Sequence, residues 1–436
     1  MQSSPPAAGR SLVVNWNAPE LNELAAALAQ QGRLAAFVRP YVNKGRLWER
    51  CLAQLPFAGP AYAATFGRRR MAQHELLGCT VEAGVLADLT AAAAGYWPGL
   101  SARSRASIKS KLYRQVREAV AERAAHVMAD ADADCVIAYE GFALPAFKAL
   151  QARGAAQAVL NYPVAHHRHR RMKRLEESAL QPAFATTWPD FDDWAPGHEE
   201  RLDEEIALAD LILLGSTYAR DTFVAQGVAA DKLCVVPYGV DLAMFWPAPA
   251  AAAAQRAPDA AAFEVLFSGQ LTQRKGLSYL LQAWRDFARP GTRLTLAGSV
   301  VGATPWPDTF GATFRHLPHQ TRPRLAELYR AADVFVFPTL VEGMPLVVLE
   351  AMASGLPVIA TANGPADLVR DGIDGFIVPE RDAAALTERL HQLWRDPELR
   401  QTMGRHAAQR AQQFGWGAYT AKALAAIDAQ RRPRGV

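Results

Sequence analysis

The feature that most constrains the fold is an alternation along the chain: a short apolar run of strand length, a helical stretch, then another short apolar run. Its clearest instance lies in the C-terminal half. There Asp333-Val334-Phe335-Val336-Phe337-Pro338 and Pro357-Val358-Ile359-Ala360-Thr361 read as buried strands on either side of Val341 to Gly355. The intervening run is therefore a crossover helix between parallel strands. Pro345 suits its first turn, where a missing N–H costs nothing, and Gly355 suits its C-terminal exit. The helix N-terminus then opens at a strand's C-terminal end, where backbone N–H groups and the macrodipole favour a phosphate.

The same alternation fills the N-terminal half. Leu12–Val14, Leu34–Val38, Cys135–Tyr139, Ala158–Tyr162 and Ala209–Gly215 read as strands, with Glu20–Gln31, Leu144–Arg153 and Tyr218–Gln226 as helices. Between Lys44 and Ala125 the pattern is mostly helical and irregular, and no element is placed. From Pro247 to Asp259 the chain is little but alanine and proline, the composition of a linker. A second βα series opens at Phe263-Glu264-Val265-Leu266-Phe267-Ser268-Gly269 and runs to about Phe414, and Trp416–Gln430 reads as an amphipathic helix. The expected division is a domain over 1–246, a linker over 247–262, a second domain over 263–414 and a terminal segment over 415–436. With 436 residues, each domain can bury its own core. Alternating strands and helices predict the α/β class, with parallel sheets covered on both faces.

Composition narrows the partners. No apolar run approaches the roughly 20 residues a spanning helix needs, and the first ten residues lack the pattern of a secretory signal. A cytoplasmic protein is the expectation. Cys51, Cys79, Cys135 and Cys234 are scattered without metal or redox spacing and are expected to be reduced, partly buried thiols. The net charge is +4, yet basic residues gather at Arg68–Arg70, along Arg103, Arg105, Lys109, Lys111, Arg114 and Arg117, and along Arg168, Arg170, Arg171, Lys173 and Arg174. Such clusters are either solvated helix faces or attract an anionic membrane surface or a phosphate-bearing acceptor. Nucleic acid is not expected, because the basic runs lack the interleaved aromatics of a stacking platform. A dinucleotide-dependent dehydrogenase is not supported either, as no Gly-x-Gly-x-x-Gly follows a strand.

Candidate chemistry concentrates in two segments of the second domain. Glu342 and Glu350 stand eight positions apart, the first just before the crossover helix and the second inside it. Leu346, Val347, Leu349, Ala351 and Met352 make that helix apolar over most of its circumference, so Glu350 should be semi-buried with a polar partner. In Gly269-Gln270-Leu271-Thr272-Gln273-Arg274-Lys275-Gly276, a loop between a strand and a helix, Arg274 and Lys275 project at a helix N-terminus. Charge, dipole and backbone donors would converge there on one anion.

With Glu342 and Glu350 in this spacing, the stretch from Ala331 to Pro379 resembles the donor-site segment of glycosyltransferase family 4, retaining enzymes of the GT-B fold. Val236-Pro237-Tyr238-Gly239-Val240-Asp241 resembles that family's inter-domain segment, Leu294–Gly298 its third C-domain strand, and Asn363–Pro379 its closing loop and strand. The resemblance covers about 205 to 420. It implies two Rossmann-like domains whose parallel sheets face a central cleft, donor on one wall and acceptor on the other, with the terminal helix crossing back to the first domain.

The resemblance also implies roles. Glu342 would lie near the donor sugar hydroxyls and Glu350 would accept from the ribose. Gly343, Met344, Pro345 and Leu346 would face the phosphates, with Gly269, Arg274 and Lys275 around the leaving diphosphate. His166, with His167 as the alternative, would reach from the N-terminal domain to the donor sugar. Two departures from the family stand out: Gln270 occupies its usual arginine position, and Asn15-Trp16-Asn17-Ala18-Pro19-Glu20 replaces its glycine-rich loop. No cofactor beyond a nucleotide-sugar co-substrate is implied. No metal is expected: Asp130–Asp134 and Asp190-Phe191-Asp192 lack the setting of a magnesium loop, and Arg168, Arg170 and Arg171 interleave His166, His167 and His169. The expected reaction moves a sugar to a saccharide or lipid-linked saccharide in polysaccharide synthesis. The alternatives are a nucleotide-sugar-binding protein without turnover and a GT-B-like epimerase, which would need acid and base groups at the reacting carbon.

Overall fold

The computed structural model describes residues 9–54, 74–93, 102–154, 157–188, 197–247, 263–302, 314–318 and 320–431. Among these, the strands gather into two sheets. The first holds β1 (Ser11–Val14), β2 (Leu34–Arg39), β3 (Thr80–Glu82), β4 (Cys135–Tyr139), β5 (Gln157–Tyr162), β6 (Leu211–Leu214) and β7 (Leu233–Val235), in the order β3-β2-β1-β4-β5-β6-β7. The second holds β8 (Phe263–Ser268), β9 (Thr292–Ala297), β10 (Phe314–Leu317), β11 (Val334–Phe337), β12 (Val358–Thr361) and β13 (Gly375–Val378), in the order β10-β9-β8-β11-β12-β13. All pairings are parallel. This is the expected α/β architecture of two Rossmann-like domains.

Central strands such as β1, β6, β11 and β12 are buried at every residue, which is why they are written as unbroken apolar runs. The edge strands β3, β7 and β10 are half-buried throughout. Their strand signal is accordingly weak, and the sequence reading missed all three. Leu294–Gly298 falls on β9, which is the second strand of its sheet along the chain and not the third.

Topology locates the working edge. Strand order reverses between β1 and β4 in the first sheet and between β8 and β11 in the second. Ligands of such sheets bind in the crevice outside the carboxyl ends of the strands at that reversal. The loops in question are those after β1 and β4 on one side and those after β8 and β11 on the other.

Helix Trp416–Ala429 packs against helix Pro19–Gln30 of the first domain. Arg33 pairs with Asp428 at 2.5 Å, and Gln157 Nε2 donates to the Ile427 carbonyl at 3.0 Å. Most of the Ala/Pro-rich stretch and the basic run Arg68–Arg70 lie outside the described residues, as do the side chains of Arg103 and Arg105. No helix among the described residues is long and apolar enough to cross a membrane. The four cysteines are free, and burial pushes the Cys135 thiol up to about 12.

Candidate active site

The loop after β8 becomes a single turn, Gln273–Lys275, ended by Gly276 at φ 72°. A Cβ at Gly276 would fall 1.9 Å from the Pro338 carbonyl oxygen, so glycine is required by both its backbone angle and its close approach to the end of β11. The Arg274 carbonyl then accepts from Leu340 N–H at 2.8 Å and from Thr339 Oγ1 at 3.1 Å. These contacts stitch the turn to the loop that carries Glu342.

Glu342 sits at the junction. Arg274 Nη1 donates to its Oε1 at 2.7 Å and to the Val341 carbonyl at 2.9 Å, and Lys275 Nζ donates to the same Oε1. Lys275 also lies 4.7 Å from the centre of the Phe337 ring. Both Glu342 and Lys275 are buried. Burial pushes the Glu342 carboxyl up, but the fields and hydrogen bonds of Arg274 and Lys275 outweigh it and hold the group below the usual carboxylate range. Burial lowers Lys275 to about 8 against the pull of Glu342. At neutral pH the cluster therefore holds two cations and one anion, an excess of positive charge bonded to the loop that leads into helix Leu346–Ala353.

Gly269, Arg274, Lys275 and Glu342 are thus brought together as expected from the sequence; a Cβ at Gly269 would meet only Lys275 Cε, at 3.9 Å. The residues after Glu342 divide differently. Pro345 is the N-cap of the helix and has no N–H to offer a phosphate, so only Gly343, Met344 and Leu346 of that run can donate. The Met344 side chain turns away to the hinge, where Sδ accepts from Tyr238 N–H at 2.8 Å. Glu350 lies further along the helix with partners of its own: Arg322 at 3.2 Å and the Tyr329 hydroxyl at 3.3 Å. Burial pushes it up to about 7, with Arg322 and Tyr329 opposing and Asp241 adding.

His166 departs from expectation. Its ring stacks on His167 at 4.2 Å and meets Phe223 edge-on at 4.8 Å, while Nδ1 accepts the Arg168 N–H and caps helix His167–Leu180. The ring is buried within its own domain instead of projecting across the cleft, because the helix end needs an acceptor there. His167 contacts Tyr162 Oη at 3.1 Å and Asp203 at 3.1 Å. His169 is the one that turns toward the second domain: it bonds Tyr218 Oη at 3.0 Å, and that hydroxyl lies 3.5 Å from the Leu340 carbonyl oxygen.

His166, His167 and Asp203 bring metal-ligating atoms within 4.8 Å of one another, a grouping the sequence reading did not find because Asp203 comes from the following helix. Burial lowers His166 to about 4, and His167 shifts down for the same reason, so both rings are neutral. Asp203 is already paired with Arg168 at 2.5 Å, and Arg170 adds positive field. The set fits a dication poorly. Of the two Asp-x-Asp matches, Asp130–Asp134 leads into β4, where Asp134 pairs with Arg431 at 2.7 Å, and Asp190 and Asp192 lie outside the described residues. The third basic cluster is likewise spent on ion pairs, Arg170 with Glu140, Arg171 with Glu199 and Lys173 with Glu380, and so is no free basic face.

The opposite wall comes from the loops after β1 and β4. Asn15 takes the place of the glycine-rich loop by bonding the turn to itself: Nδ2 donates to the Ala18 carbonyl and to Asn22 Oδ1, and Oδ1 accepts the Ala18 N–H, each at 2.9 Å. Buried Glu20 accepts from Asn161 Nδ2 at 3.1 Å, and burial pushes it up to about 6. Glu140 holds Arg170 at 3.2 and 3.0 Å. Tyr139 is shifted up by burial, then by Glu140 and Glu20, while Arg170 and Arg274 pull it down. Tyr139 on one wall and Arg274 on the other thus share one electrostatic environment. Tyr139, Glu140 and Asn161 were not singled out from the sequence; their position at or near strand C-termini was the available signal. The walls also touch: Ser216 Oγ donates to the Gly343 carbonyl at 2.5 Å, and a Cβ at Gly343 would lie 1.8 Å from the Pro163 carbonyl oxygen.

Comparison with known proteins gives this geometry its class. Across 97% of the chain the structure resembles sucrose-phosphate synthase from Thermosynechococcus elongatus (TM-score 0.64, 20% identity, 99% of that chain). It also resembles HepE of Anabaena solved with UDP-glucose (TM-score 0.61, 15% identity, 97% of this chain and 100% of that one). The fold is GT-B. Residues 262–396 match the family described as Glycosyl transferases group 1. D-inositol 3-phosphate glycosyltransferase of Pseudarthrobacter chlorophenolicus is 35% identical over 237 residues, 50% of this chain and 56% of that protein. Its counterpart in Kineococcus radiotolerans is 36% identical over 240 residues, 49% and 54%. The matched stretch spans about half the length of these curated relatives. The chain carries a group 1 glycosyltransferase domain of the family 4 type within a GT-B fold.

Proposed function

We propose that the protein transfers a sugar from a nucleotide-sugar donor to a saccharide or lipid-linked saccharide, with retention of anomeric configuration and without a metal. One observation carries this reading: the cluster of buried Lys275 and Glu342 with partly buried Arg274, just before helix Leu346–Ala353, on the crevice of the second sheet. Departure of a nucleoside diphosphate develops negative charge, and preorganised cations and helix N–H groups are worth most where that charge appears. Arg274 and Lys275 supply the neutralising charge in this reading, with Arg274 standing in for the arginine that Gln270 replaces. The departing phosphate oxygen takes the acceptor's proton on the same face, so catalysis consists of positioning and charge stabilisation. Glu350 reads the ribose hydroxyls, which displace its contact with half-exposed Arg322.

The likeness to a protein solved with UDP-glucose supports a nucleotide-sugar donor, and the relatives named as glycosyltransferases support transfer over epimerisation. Work at the inner face of a cytoplasmic membrane, in polysaccharide synthesis, belongs to the same reading, with Lys109 and Lys111 of helix Ala102–Asp130 as the anionic-surface contact. A thermal-shift screen against nucleoside diphosphates and nucleotide sugars tests the donor site. A ligand present at 100 times its Kd stabilises the folded state by about 2.7 kcal/mol, and one base should stand out. A flat response to every nucleotide and nucleotide sugar removes the proposal.

A further inference from the structure

Helix His167–Leu180 of the first domain reaches the second domain along one face. Lys173 meets Glu380 at 2.5 Å, Arg381 donates to Glu176 at 3.0 Å, and Glu177 lies between them with 1% of its surface exposed. Among the described residues, the hydrogen-bond donors to the Glu177 carboxylate come from the opposite domain. Gln273 Nε2 donates at 2.7 Å, the Tyr279 hydroxyl at 2.8 Å and Arg381 Nε at 2.9 Å. Gln273 is the first residue of the turn that carries Arg274 and Lys275. Its other contacts reinforce the placement: its N–H donates to Thr187 Oγ1 of the first domain at 2.8 Å, and its Oε1 accepts from Ser278 N–H at 3.1 Å.

Arg381 adds an independent sign. Among the described residues it is the one non-glycine residue with positive φ, at 64°. A left-handed arginine is strained, and such strain persists where the surroundings demand that conformation. Here the conformation aims one guanidinium at both Glu176 and Glu177. A buried carboxylate that only glued the domains together could sit anywhere along the interface. This one grips the residue next to the cationic pair.

We propose that Glu177 is a positioning residue: with the domains closed, its carboxylate braces Gln273 and so sets Arg274 and Lys275 against the donor's diphosphate. The proposal rests on the donor-site reading above. Domain closure and assembly of the cationic turn are then one event, because the brace exists only while the first domain is in place.

Isothermal titration with UDP and UMP, or the pair whose base wins the melting screen, separates this role from simple adhesion. In Glu177→Ala the diphosphate affinity should fall about 10-fold or more, and the monophosphate affinity should stay within about twofold, since the nucleoside is held elsewhere. Gln273→Ala should give the same selective loss, and the double variant should lose little more than either single one, as residues acting through one contact do. Should Glu177→Ala fail to fold, Gln273→Ala decides alone. Equal losses for both ligands, or no loss, overturn the brace while leaving the donor site intact. A wild-type protein that binds no nucleoside diphosphate overturns the donor-site reading, and the brace with it.

Discussion

The two walls of the cleft solve opposite electrostatic problems. On the second domain, buried Glu342 is held ionised by Lys275 and the partly buried Arg274, while burial lowers Lys275 to about 8. On the first domain, the loop after β1 is closed by amide hydrogen bonds from Asn15, and Glu20 in the helix that follows has no cation against it among the described residues and is pushed up to about 6. Burial pushes both Glu342 and Glu20 up; only the cations bonded to Glu342 reverse the result there. A site built to stabilise departing diphosphate needs permanent positive charge on one face. A hydroxyl-bearing acceptor needs only hydrogen bonds on the other.

Removing the cation is the strongest way to break that contrast. Lys275→Ala leaves Glu342 buried with Arg274 alone, and losing one partner of a buried pair costs about 3–5 kcal/mol. Melting should show that loss, and sugar transfer should fall on the order of 10- to 100-fold. Unchanged turnover in a transfer assay takes Lys275 out of the mechanism and leaves it a structural ion.

Glu350 sharpens the contrast, because it lies on the same domain as Glu342 yet is pushed up by burial as Glu20 is. Its carboxyl is raised from 4.5 to about 7, so between those values the folded protein holds a proton that the unfolded chain has released. Stability therefore falls as pH rises through that window. Glu350→Gln removes the titration, and its stability relative to wild type should grow from pH 4.5 upward and level off above pH 7, by about 3–4 kcal/mol at most. His166, lowered to about 4, slopes the other way, and only the difference between variant and wild type isolates Glu350. Parallel melting curves at pH 5 and pH 8 would show that Glu350 does not carry the proton.

The second-domain wall was legible in the sequence because its parts lie within two short segments, each carrying several signals at once. Strand, glycine, basic pair and helix follow one another from Phe263 to Leu277, and strand, Glu342, Pro345 and Glu350 from Val334 to Ala353. The first-domain wall gathers Asn15 and Glu20 with Glu140 and Asn161 from segments far apart in the chain, where no local pattern announces the meeting. His166 was misplaced for a related reason: proximity to a strand end in sequence does not say which way a helix cap turns its ring. The brace through Glu177 was invisible, since Glu177 and Gln273 each read as ordinary helix and turn residues until the domains are set face to face.

Asn15 offers the smallest and most discriminating test. Its side chain is buried and makes two hydrogen bonds to Ala18 of the loop after β1 and one to Asn22 of the following helix, so Asn15→Ala leaves the Ala18 N–H and carbonyl without that partner. Such unmade bonds cost about 1–3 kcal/mol in all. If the loop's job is to shape the acceptor wall, amide exchange over residues 16–18 should quicken while nucleoside diphosphate affinity stays within about twofold. The charged wall is held by its own ions and does not lean on this loop. A loss of diphosphate affinity as large as that of Lys275→Ala would mean that the amide-bonded loop approaches the phosphates after all, doing with asparagine what the family does with glycine, and the division of labour between the walls would fall.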